Sequence, residues 1–230
     1  MMAIPGVIAE SRIPSPVARY NVENYTTANG STFPQGLTGS TYPNGTLLQG
    51  TLNTLTTTAP RFITIYALPP NFPNATGGLH IGSSVTFRSV EMWVRLTRSV
   101  SAGQYFFDFR NGAASGFAIG AATGDGNVGS DVAGTTYYNN TVAGTWTATT
   151  NFVPLLFNTG WRQFVLTFNS NVTDAPTFFT RFDSGNEFAF VQGTPIQFAD
   201  IAFYSEQLTA RQVKALYNLK CSRYSLSPIA

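Results

Sequence analysis

Two carboxylates and an amide oxygen occur within the glycine-rich stretch Asp125-Gly-Asn-Val-Gly-Ser-Asp131, the oxygen donors a hard divalent cation prefers. Asp125, Asn127 and Asp131 are therefore the candidate calcium ligands. The stretch lacks the bidentate glutamate that closes an EF-hand loop, and without metal it reads as a flexible turn. Tyr137, Tyr138 and Trp146 follow in the same loop-rich region. Their rings could stack on the apolar faces of sugars or meet a protein partner, and they serve packing equally well. His80 follows Gly77-Gly-Leu with no serine or cysteine elbow nearby, so no catalytic triad is visible and a solvated loop histidine is expected. Glu91 and Arg95 are spaced to form a surface or partly buried ion pair along one strand. The single cysteine, Cys221, excludes an internal disulfide, and with one histidine it excludes a zinc centre. No cofactor is expected beyond the calcium that residues 125–131 could take.

These groups must be held by a β framework. In Val90-Glu-Met-Trp-Val-Arg-Leu96 the even positions Val90, Met92, Val94 and Leu96 are apolar, the period-two signature of a strand with one face in a core. Arg61–Leu68, Gln104–Phe109, Gly116–Ile119, Trp161–Phe168, Thr177–Phe182, Glu187–Val191 and Ile196–Tyr204 read as further strands, and Asp183-Ser-Gly-Asn186 as a hairpin turn. The pairs Phe106/Phe107 and Phe178/Phe179 each place neighbouring rings on one strand, so one of each should lie on an outer sheet face and suit an interface. Thr209 and Gln212 form a capping box, Leu208 and Val213 a hydrophobic staple, and Val213, Leu216 and Tyr217 one helical stripe. The fold expected is all-β: a two-sheet antiparallel jelly-roll sandwich with one short C-terminal helix.

Composition narrows the function. Of 230 residues 43% are hydrophobic, 14% aromatic and only 10% charged, with 13 Lys+Arg against 11 Asp+Glu for a net charge of +2. Aromatic content supplies a core and argues against disorder. The absence of basic clusters argues against nucleic acid or an anionic membrane surface as partner, and no apolar run is long enough to span a bilayer. Thr, Ser and Asn make up more than a quarter of the chain, an uncharged polar surface of the kind found on extracellular and particle proteins. The apolar start, broken by Pro5 and Gly6, does not read as a secretory signal. Residues 1–19, with Pro5, Pro14 and Pro16, are expected as an extended arm whose Ile4, Val7, Ile8, Ile13 and Val17 await a neighbouring subunit. Residues 20–220 would form the sandwich and 221–230 a C-terminal tail.

Three stretches carry a family resemblance. Val90–Leu96 resembles a strand with a central Trp; Gly160-Trp-Arg-Gln-Phe-Val-Leu-Thr-Phe168 resembles a Gly-Trp-His-x-Val-Ala-Leu-Thr-Phe strand, with Arg162 in place of the usual His; Ile201–Tyr217 resembles a closing strand and helix. Together they resemble the concanavalin A-like lectin/glucanase superfamily, in its laminin G-like and pentraxin-like branch, over about residues 20 to 220. The resemblance implies a sandwich, and loops at one end that often bind calcium. Glucanases of the superfamily carry paired carboxylates on one strand, but here Trp93 and Arg95 replace them beside Glu91, so retaining hydrolysis is not expected. The expectation is a non-catalytic structural or interaction protein of a larger particle, a minor capsid or decoration protein located in the virion, with other protein subunits as partners. The alternative is a glycan-binding lectin-like module, on a virion or extracellular; a glycoside hydrolase ranks third.

Overall fold

A computed structural model describes residues 12–25, 32–33, 36, 40–48, 54–65, 78–98, 105–109, 118–120, 135–147, 150–151, 153–157, 159–180 and 196–230. It is an antiparallel sandwich of two sheets with one short C-terminal helix.

The eight-stranded sheet is built on β7 (Val85–Leu96), which lies between β12 (Arg162–Asp174) and β14 (Ile196–Tyr204). Outside β12 come β10 (Thr136–Asn139) and the edge strand β11 (Val142–Thr145). The far side of β14 is shared by β5 (Ile63–Thr64), itself flanked by β4 (Thr54–Leu55), and by β1 (Ala18–Asn21). The six-stranded sheet runs β2 (Thr32–Phe33), β3 (Gly45–Leu48), β6 (Gly78–Ile81), β13 (Thr177–Phe178), β8 (Tyr105–Asp108), β9 (Ala118–Gly120).

The even positions of β7 face the other sheet, as their alternation predicts, and join one apolar core with Phe164, Leu166, Ile201 and Phe203. Phenylalanines close the gap between sheets: Phe87 meets Phe109 at 5.3 Å between centroids, Phe106 meets Phe164 at 5.5 Å and Phe178 meets Phe203 at 5.8 Å, all edge to face.

The eight-stranded sheet is covered on its other face as well. Helix α2 (Ala210–Lys220) begins with the capping box of Thr209 and Gln212 and buries Val213, Leu216 and Tyr217. Leu208, Val213 and Leu216 pack on Tyr138, Val165 and Tyr204 of the sheet. A 3-10 turn, Cys221–Tyr224, then brings Tyr224 flat onto Trp93 with centroids 4.1 Å apart and planes at 8°. A single helical turn, α1 (Val153–Leu156), adds to the one helix expected.

Three expectations change. All four rings of Phe106/Phe107 and Phe178/Phe179 are buried. A register shift between Tyr105 and Phe107 breaks the alternation in β8, and Phe179 leaves the strand with a φ of 64°, so neither pair presents an outer ring. The boundary at residue 19 runs through β1, because Ala18 and Arg19 pair with Phe203 and Ala202. The tail is continuous with the fold, for Cys221 and Tyr224 are buried and Ile229 donates its N–H to Asn218 at 2.8 Å. The 183–186 hairpin lies outside the described residues.

Candidate functional site

The outer face of the eight-stranded sheet holds two buried carboxylates, Glu91 and Asp200. On β7, Glu91 and Trp93 alternate with the core positions and point away from the second sheet. On β14 the same phase is reached by an insertion: Phe198 pairs with Val94 and Asp200 with Trp93, leaving Ala199 as a bulge. Were Ala199 paired in register with Trp93 instead of bulged, Asp200 would turn inward and Ile201 outward. On β1, Arg19 lies between Ala18 and Tyr20, both of which enter the core. Lys220, the last residue of α2, comes down on the acids from above.

Glu91 and Asp200 are each 1% exposed. Glu91 Oε1 accepts from Trp93 Nε1 at 3.1 Å and Gln163 Nε2 at 2.9 Å; its Oε2 accepts from the Tyr204 hydroxyl at 2.9 Å and Lys220 Nζ at 2.8 Å. Asp200 accepts a bidentate pair from Arg19 Nε and Nη2 at 2.9 and 2.7 Å, and Lys220 Nζ at 3.1 Å. Two cations thus face two carboxylates, and Lys220 bridges both acids.

Burial opposes ionisation of Asp200, but Lys220 and Arg19 outweigh it and hold the carboxyl below its ordinary range. Burial likewise works against charged Lys220, and Glu91 with Asp200 reverse the balance and raise its pKa. The hydrogen bonds to Asp200 raise Arg19. Burial first, then the neighbouring Glu91, pushes the Tyr204 phenol far above its usual value. Chemically Glu91 is saturated: both its oxygens are doubly engaged, leaving no free position on this acid for a substrate proton. Beside it a groove of about 230 Å³ runs between Ile13, Pro14 and Pro16 on one wall and Leu216 and Leu219 on the other.

The structure corrects the pairing expected for Glu91. Its cation is Lys220, while Arg95 donates to Gln197 and lies over the Phe62 and Trp161 rings at 5.8 and 5.4 Å. His80 is no loop residue: it is buried in β6, its Nδ1 lies 2.8 Å from Thr177 Oγ1, and burial lowers its pKa. Trp146 is fully buried between Tyr137 at 5.3 Å and Phe164 at 5.9 Å, and Tyr138 packs under α2. Tyr137, half-buried, stacks on Phe164 at 5.8 Å. The three aromatics therefore form no common exposed platform for a sugar. Asp125, Asn127 and Asp131, and Ile4, Val7 and Ile8 of the arm, lie outside the described residues; Ile13 packs against the helix-side cluster and Val17 against the main core. Among the described residues no three His, Cys, Asp or Glu side chains gather as a metal site, and no helix is long and apolar enough to cross a membrane.

Arg19, Asp200, Lys220 and Tyr204 were not singled out by the sequence reading. One signal was available: Asp200 is an acid inside the apolar run Ile196–Tyr204, and a carboxylate in such a strand must find a cation. Comparison with family models, curated proteins and solved structures returned no match.

Proposed function

We propose that the protein is a non-catalytic structural or interaction module working as a subunit of a larger particle, in the manner of a minor capsid or decoration protein of a virion. On this reading its sandwich is of the laminin G-like, concanavalin A-like kind. The observation that carries it is the state of Glu91. In a glucanase the corresponding strand presents free carboxylates to a cleft; here the acid is sealed beneath α2 with both oxygens engaged. The composition of the chain, rich in Thr, Ser and Asn and poor in charge, supports a role in contact with other protein subunits.

The test is biochemical. Purified particles from the source should contain the chain at fixed stoichiometry, and the isolated protein should be silent on a glycan array with and without calcium. Calcium-dependent sugar binding would replace this reading with the lectin one. Hydrolysis of a β-glucan that disappears in Glu91→Gln would replace it with an enzyme.

A further inference from the structure

Among the described residues, the eight-stranded sheet ends in an edge that lacks the usual protection. β11, at one end of the strand order, runs for four residues, Val142–Thr145, and is paired only with β10. Strands exposed in this way normally carry a lysine, a proline or a bulge. None occurs in β11, and no charged residue stands between Asp131 and Arg162. Val142 is 71% exposed, one of two large apolar side chains so exposed among the described residues.

The phase of the hydrogen bonds is fixed by two of them. Asn140 N–H donates to Gln163 O at 2.9 Å, towards β12, and Trp146 N–H donates to Thr135 O at 2.7 Å, towards β10. With Tyr137 opposite Gly144 and Asn139 opposite Val142, the main-chain groups of Val142, Gly144 and Trp146 face β10. Those of Ala143 and Thr145 face out of the sheet, and both residues are exposed.

We propose that β11 pairs with β11 of a second copy of this chain, antiparallel about a twofold axis at Gly144, joining two eight-stranded sheets into one. The geometry is self-complementary. With Gly144 opposite its own copy, Ala143 lies opposite the partner's Thr145, and the two residues whose N–H and C=O are outward exchange both hydrogen bonds with each other. A charge at Gly144, or like charges at both Ala143 and Thr145, would repel across the axis; the strand carries no charge at any of its four positions. The partner is a second copy of this chain, whose strand meets the same register with no charge to oppose it, and the inference stands independently of the particle reading, since it concerns the isolated chain.

Two variants test it. Ala143→Pro removes an outward N–H and spares those that hold β11 to β10, at an edge position where proline is tolerated. Ala143→Lys combined with Thr145→Lys puts lysine opposite lysine in both cross-strand pairs. Sedimentation velocity across a concentration series should show a monomer–dimer equilibrium for the wild type, weakened at least about tenfold in each variant, roughly 1.4 kcal/mol, with unchanged circular dichroism. If Ala143→Pro fails to fold, the double lysine variant decides alone. A wild type that stays monomeric throughout, or a dimer indifferent to the folded variants, would overturn the proposal.

Discussion

Arg19 and Asp200 are 181 positions apart, yet both guanidinium nitrogens Nε and Nη2 meet the two carboxylate oxygens, at 2.9 and 2.7 Å. This bidentate contact ties the start of the described chain to its last strand. It makes residues 12–19 part of the domain: Val17 also donates its N–H to Phe203 O at 2.8 Å, and Ala18 is buried. A deletion of residues 1–11 removes no contact described above. Deletion of residues 1–19 strips Asp200 of its arginine and should cost about 3 kcal/mol, a difference that chemical denaturation of the two truncations will read.

Lys220 bridges Glu91 and Asp200 at 2.8 and 3.1 Å. Lys220→Met leaves two buried acids short of a cation and should destabilise by about 3 to 5 kcal/mol. Glu91→Gln in that background relieves one of them, so the double variant should lose less than the sum of the singles. Strict additivity in urea denaturation would mean that the two groups do not interact.

Leu216 is buried by α2 against the sheet. Leu216→Ala should lower stability by about 2 to 5 kcal/mol, seen as a shift of the denaturation midpoint. An unchanged midpoint would place the helix off the sheet.

Three groups each give stability a distinct pH dependence. Asp200 has a folded pKa below its free value, so its contribution is present above about pH 3.9 and is lost as pH falls through the folded value. Lys220 is raised; its contribution is full below about pH 10.4 and is lost as pH rises through the higher folded value. His80 is lowered by burial. The unfolded chain binds this proton from about pH 6.5 downward while the folded one resists, so stability declines below that point until the folded pKa is passed. His80→Asn should flatten the wild-type slope between neutral and mildly acid pH, measured as urea midpoints in a buffer series.

The sequence was most informative where one period runs unbroken. The alternation of Val90–Leu96 placed the core face of β7, and Thr209 with Gln212 placed the first turn of α2, because both signals are local. It was silent where a single inserted residue changes phase, as at Ala199 and between Tyr105 and Phe107, since a bulge follows from pairing rather than residue type. The cation for Glu91 could not be found by spacing along the strand. Arg95 is near in sequence, but Lys220, 129 positions away, is the one the helix delivers. His80 in the short strand Gly78–Ile81 shows no alternation, because all four residues are buried.

The lone thiol turns the C-terminal cover into a clock. Cys221 is wholly buried beside Tyr217 and Tyr224, packed on Trp93, so a thiol reagent can reach it only when that cover lifts. Its labelling rate in native buffer, set against the rate in denaturant, reports the free energy of opening this one layer without any engineered probe. If the helix and tail lift as a unit while the sandwich stays closed, that free energy falls below the global one; if they open only with the sheets, the two coincide.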